Sequence, residues 1–76
     1  YKKYTLIISD FYYLESARSL KKNLIEQTKI NNYSIKKIKE TLYRLTVGPF
    51  ENFSTLKSAY ISLNNLGFED LNIIRK

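Results

Sequence analysis

This chain of 76 residues contains no histidine and no cysteine, and that decides much of the chemistry open to it. Zinc sites built from cysteine and histidine, thiol nucleophiles, disulfide scaffolds and Ser-His-Asp triads are excluded at once. General acid–base catalysis would then need a pair of carboxylates held in different environments. Glu69 and Asp70 are neighbours in sequence, so within a strand their side chains point to opposite faces. Asp10 stands alone in an expected turn, and Ser9 has no base to activate it. The two glycines, Gly48 and Gly67, build no phosphate-cradling loop. The sequence therefore reads as a binding module and not an enzyme, with no catalytic residues, no metal site and no cofactor.

What remains is non-covalent recognition. Thirteen Lys and Arg against seven Asp and Glu give a net charge of +6, which favours anionic partners such as nucleic acid, acidic lipid or an acidic polysaccharide. The abundance of Ile, Lys, Asn and Tyr is also what an AT-rich genome supplies, so charge alone selects no partner. Lys36, Lys37 and Lys39 are read first as protection of an edge strand against pairing, and second as a positive rim for a ligand. No apolar run approaches the roughly 20 residues that a membrane span requires.

The elements that must position these groups come from an internal repeat. Tyr4 to Phe11 aligns with Tyr43 to Phe50 at an offset of 39, and the same offset matches Leu14 with Phe53, Ala17 with Leu56, Leu20 with Ala59 and Leu24 with Leu63. Each half opens with period-two alternation, Leu6 and Ile8 in one and Tyr43, Leu45 and Val47 in the other, which predicts half-buried strands. Ser9-Asp10 and Gly48-Pro49 are expected to end them in turns. Each half then changes to period 3.6. Leu14, Ala17, Leu20 and Leu24 form one apolar stripe; Phe53, Leu56, Ala59, Tyr60, Leu63 and Leu66 form the other. Asn52 or Ser54 is the expected N-cap and Gly67 the expected stop of the second helix, with Asn31-Asn32 ending the first. Of Tyr12 and Tyr13, one is expected to staple the first helix and the other to reach the rim of the sheet. Closing strands are expected at Tyr33–Lys39 and Leu71–Arg75. The spacing of Ile35 and Ile38 implies a bulge, and Glu40-Thr41 joins the second and third strands as a hairpin.

The order β-α-β-β-α-β predicts an α+β, ferredoxin-like fold: a four-stranded antiparallel sheet with both helices on one face. The first and third strands are then central. Leu6, Ile8, Tyr43, Leu45 and Val47 face the helices. The other face stays open and carries Thr5, Ile7, Ser9, Arg44 and Thr46.

Tyr43-Arg-Leu-Thr-Val-Gly-Pro-Phe50 resembles the signature of the SPOR (sporulation-related repeat) domain, roughly Y-R-V-x-V-G-P-F followed by a helix. Tyr4 to Phe11 resembles that family's opening strand, and Ala59 with Leu66-Gly67-Phe68 resembles its second helix and exit, so the likeness spans nearly the whole chain. It implies a ferredoxin-like (RNP-type) domain that binds bacterial peptidoglycan, in particular glycan strands denuded of stem peptides at division septa. It implies that residues 1–76 are a single domain, a C-terminal fragment of a longer exported protein, located in the periplasm or cell envelope at the septum. The family binds with the exposed sheet face. Carried onto this chain, the ligand-binding residues are Thr5, Ile7, Ser9, Asp10, Leu42, Arg44 and Thr46. A denuded strand carries the free lactyl carboxylate of N-acetylmuramic acid. Arg44 is expected to pair with it, Thr5, Ser9 and Thr46 to bond hydroxyl or acetamido groups, and Ile7 and Leu42 to pack on sugar CH faces. Ile7 replaces a Gln common in the family, and Leu42 stands where an aromatic often precedes the signature Tyr.

Two other readings compete. A protein-interaction domain of the cell envelope would use edge strands or helices. An RNA-binding module would place aromatics on the two central strands; Ile7, Arg44 and Thr46 stand there instead, and the basic-Gly-aromatic motif is absent. Nucleic acid is therefore not the expected partner, and a monomer is the expected state.

Overall fold

The computed structural model describes residues 3–75. The elements are β1 (Tyr4–Phe11), α1 (Leu14–Thr28), β2 (Tyr33–Lys39), β3 (Leu42–Phe50), α2 (Phe53–Asn65) and β4 (Asn72–Arg75). They make one four-stranded antiparallel sheet in the order β2-β3-β1-β4. This is the α+β ferredoxin-like arrangement, with β1 and β3 central. Both helices begin at corresponding places in the repeat, Leu14 and Phe53.

The core lies between sheet and helices. Leu6, Ile8, Leu45 and Val47 from the central strands meet Ala17 and Leu24 of α1 and Leu56, Ala59 and Leu63 of α2. Phe50 of β3 and Tyr33 of β2 complete the cluster, and burying a side chain of this size contributes about 1.5–3 kcal/mol. Tyr43 is on the same face but lies beyond this core and stays half-buried. Phe53 and Leu66, expected on the apolar stripe of α2, are exposed instead, Phe53 at 62%. They sit at the two ends of the helix, past the edge of what the sheet can cover.

The two expected turns are not turns. β1 runs on to Phe11 and β3 to Phe50, and the ladder between them is irregular where the turn residues stand. On β3 the Gly48-Pro49 pair lies opposite the single residue Thr5, between Tyr4↔Phe50 and Leu6↔Val47. Pro49 is tolerated there because β2 begins its pairing at Tyr33↔Val47, so no neighbour asks for its missing N–H. Gly48 has φ +137, a conformation L side chains rarely adopt, and its N–H donates to the Asn32 carbonyl at 2.9 Å.

Caps follow the same logic. The Asn52 side chain accepts from the Thr55 N–H at 2.9 Å and starts α2. At its other end Gly67, at φ +101, lets the Gly67 and Phe68 N–H groups reach back to Asn64 and Leu63 carbonyls. α1 ends differently from expectation: Lys29, not Asn31-Asn32, takes the left-handed conformation at φ 60 and returns its N–H to Ile25. Tyr12 and Tyr13 are 74% and 73% exposed, and Tyr13 is an N-cap without a side-chain bond, so neither staples the helix. The tail of α1 is held instead by Tyr33, 4% exposed, whose hydroxyl is 2.7 Å from the Thr28 hydroxyl.

This framework can be probed at two residues. A Cβ at Gly48 would lie 3.0 Å from the Tyr4 carbonyl oxygen and 3.1 Å from the Thr5 Cα, both backbone atoms. Gly48→Ala should therefore destabilise the fold by about 1–3 kcal/mol, read as a lower midpoint in urea. Burial raises the pKa of Tyr33 above its ordinary 10.0, opposed by the Thr28 hydrogen bond. A raised pKa stabilises the neutral phenol, so its contribution is intact below pH 10 and is lost as pH climbs through the folded-state value. Melting temperatures measured across that alkaline range should fall more steeply for the wild type than for Tyr33→Phe.

Candidate binding face of the sheet

Residues paired across an antiparallel ladder share a face, so register decides what the open side of the sheet presents. One row crosses all four strands: Ser34 pairs with Thr46, Thr46 with Ile7, and Ile7 with Asn72. A second row joins Lys36 to Arg44 and Arg44 to Asp10. Lys39 with Leu42 extends the face at one end, and Thr5 with Ile74 at the other. The surface is thus mixed: hydroxyls and an amide around Ile7, small apolar patches at Leu42 and Ile74, and charges in the Lys36–Arg44–Asp10 row and at Lys39 beside it.

The second row depends on an irregularity in β1. Ile7 faces Thr46 and Ser9 faces Leu45, so Ile8 is an extra residue with no partner in β3. An inserted residue shifts the alternation by one. Ile8 turns into the core, 7% exposed, and Ser9 follows Leu45 to the helix side. Ser9, expected on the open face, is removed from it by the bulge, and Asp10 takes the place. Asp10, expected alone in a turn, is a strand residue directly opposite Arg44.

The two side chains meet as a fork. Arg44 Nε donates to Asp10 Oδ1 at 2.9 Å and Nη2 donates to Oδ2 at 3.2 Å. The pair is partly open to solvent, the Arg44 side chain 31% and the Asp10 side chain 37% exposed. The Asp10 hydrogen bond raises the Arg44 pKa, desolvation lowers it, and the carboxylate's charge adds to the rise. Arg44 is therefore a permanent cation already matched by an anion.

The other expected ligand residues divide in two. Thr5, Ile7 and Leu42 are half-buried on the open face, as the sequence predicts. Thr46 is on that face but only 6% exposed, and its hydroxyl donates to the Ser34 carbonyl at 3.4 Å. It supports the row more than it presents a group. Four further residues of the face come from the edge strands: Ser34, Asn72 and Ile74, which lie outside the sequence expectation, and Lys36, which the sequence reads only secondarily as part of a positive rim. The sequence signal for Ser34 and Lys36 is the apolar alternation of Tyr33 and Ile35, which leaves both on the opposite face. The three lysines of β2 also separate. Lys36 shares the open face with Arg44, whereas Lys37 pairs with Tyr43 on the helix side and lies 3.6 Å from Glu40.

Clefts occur on the helix side: one of about 360 Å³ includes Thr28, Phe50 and Ser58, and one of about 250 Å³ includes Phe53, Tyr60 and Ile73. Neither includes an open-face residue. No helix among the described residues is long and apolar enough to cross a membrane.

A family profile described as SPOR domain matches residues 1–73. Among solved structures, the solution structure of the peptidoglycan binding domain of the B. subtilis cell wall lytic enzyme CwlC is similar, with a TM-score of 0.69 and 22% sequence identity, covering 100% of this chain and 91% of that one. At that identity the likeness speaks for the fold. No curated protein sequence matches.

Because the Asp10–Arg44 pair is partly solvated, it orients side chains more than it holds the fold together. Asp10→Asn and Arg44→Gln should each retain the wild-type far-UV spectrum and melt within a few degrees of it, with the difference shrinking at high salt. A collapse of the melting transition in either variant would contradict this.

Proposed function

Because the chain belongs to the SPOR domain family, we propose that it is a peptidoglycan-binding module of the cell envelope, a binder and not a catalyst. In this reading it recognises glycan strands stripped of their stem peptides, and so carries its parent protein to the septum. The observation that carries the reading is the open face of the sheet, where four strands bring hydroxyls, an amide, apolar patches and a charged row into one continuous surface.

That surface suits the chemistry of a bare glycan. Each disaccharide offers hydroxyls and acetamido groups, apolar CH faces and, once the peptide is gone, a lactyl carboxylate. Thr5, Ser34 and Asn72 supply partners for the polar groups. Ile7, Leu42 and Ile74 supply apolar contact for the ring faces. The row of Lys36, Arg44 and Asp10 supplies the charges. Among the expected contacts, Ser9 drops out with its move to the helix side, and Thr46 acts from beneath. The extended form of a polysaccharide suits a surface that runs across four strands, and the +6 charge assists its approach without defining it.

Co-sedimentation with purified sacculi tests this at physiological salt. Three samples are compared: untreated sacculi, sacculi treated with amidase to expose bare glycan, and amidase-treated sacculi then digested with a glycan-cleaving enzyme. Pelleting should rise after amidase and disappear after glycan cleavage. Weak and equal pelleting in all three would reduce the interaction to charge adhesion and overturn the reading.

A further inference from the structure

We propose that Asp10 is a built-in competitor for the carboxylate of the ligand: by occupying the Arg44 fork it leaves Lys36 as the cation that meets an anionic group and makes Arg44 a donor to neutral acceptors. The proposal rests on the reading that the open face binds peptidoglycan glycan, and it concerns how that face tells anionic from neutral groups.

The geometry is specific on this point. A guanidinium has five N–H donors. Asp10 takes two of them, on the Nε–Nη2 edge, at 2.9 and 3.2 Å. That is the bidentate match a ligand carboxylate would otherwise seek. A second carboxylate arriving at Arg44 must displace Asp10 or settle beside a like charge. The three remaining N–H groups suffer no such conflict with a neutral oxygen, whether acetamido carbonyl or hydroxyl.

Lys36 sits across the sheet from Arg44 on the side away from Asp10. Two cations directly opposite each other on one face repel, and Asp10 relieves this by compensating Arg44. Lys36 itself is exposed and has no ion pair among the described residues. The row as a whole keeps one positive charge, located at its β2 end. An ammonium is a compact point charge that accepts a carboxylate from many directions, which suits a group carried on a flexible lactyl ether. The face then reads two features side by side: a neutral acceptor at Arg44 and an anion at Lys36.

The test uses soluble glycan chains released by amidase and a lysozyme-type cut, and the same chains with their carboxylates converted to amides. Affinities are measured for the wild type, Asp10→Asn and Lys36→Gln. Asp10→Asn should bind the carboxylate glycan about threefold or more tightly than the wild type, the scale of a partly solvated ion pair, and should gain more for it than for the amidated glycan. Lys36→Gln should lose affinity for the carboxylate glycan alone. Unchanged or weaker binding by Asp10→Asn would overturn the proposal, because it would make Asp10 a support for Arg44 and not its competitor. If the wild type binds neither glycan, the peptidoglycan reading falls, and the competitor is judged by NMR with monomeric N-acetylmuramic acid. The Arg44 Nε–H resonance should stay in place in the wild type and move in Asp10→Asn as the acid is added; movement in the wild type would refute the competition itself.

Discussion

Strands β1 and β3 are the centre of the sheet, and their ladder is interrupted twice, once by Ile8 on β1 and once by Gly48-Pro49 on β3. Every other part of the structure takes its position from that ladder. The helices seat on the residues it turns inward, the edge strands pair on its outer sides, and the open face shows what it turns outward. A side chain in a strand has only two directions, so a single inserted residue moves all that follow it to the other side. Such a shift would expose an apolar set unless the surroundings absorbed it. Here each interruption falls next to a place where the change is absorbed. Ile8 is large enough to fill the core from its bulged position, and Gly48 is the residue type able to sit at a positive φ against the Tyr4 and Thr5 backbone.

The interruption in β1 is also what makes the charged row. Without it, Ser9 would alternate onto the open face and Asp10 would turn toward the helices, where an unpaired carboxylate is expensive. With it, Asp10 is delivered opposite Arg44 and the two satisfy each other. A backbone irregularity thus places an ion pair on the surface and leaves Lys36 beside it as a separate charge. The link runs from one extra residue, through the direction of three side chains, to the electrostatics of a whole row.

Much of this is legible in the sequence. The repeat at an offset of 39 locates both central strands and both helix starts, and composition alone removes most catalytic chemistry. Asn52 and Gly67 announce the two ends of α2, because caps depend on local chemistry. Register is not legible. Ser9-Asp10 and Gly48-Pro49 carry turn residues, yet turn residues also suit bulges, and only pairing with a distant strand distinguishes the two. For the same reason Ser9 and Asp10 exchange their expected places. The edge strands are the least readable part of the chain. Ser34 and Lys36 follow from the alternation of Tyr33 and Ile35, but the places of Asn72 and Ile74 depend on long-range pairing with β1.

The two similar halves also shape the open face. Shifting by 39 maps Ile7 onto Thr46, and these two are cross-strand partners, so an approximate two-fold axis passes between them. The same shift maps Thr5 onto Arg44. The backbone therefore offers nearly the same surface to either orientation of an extended chain, while the side chains do not. One end is Thr5 with Ile74, short and uncharged; the other is Arg44 with Lys36 and Asp10, long and charged. A polymer turned end for end would meet a different surface. The near-symmetry is thus broken into a polarity, and the face acquires a direction in which a strand can be read.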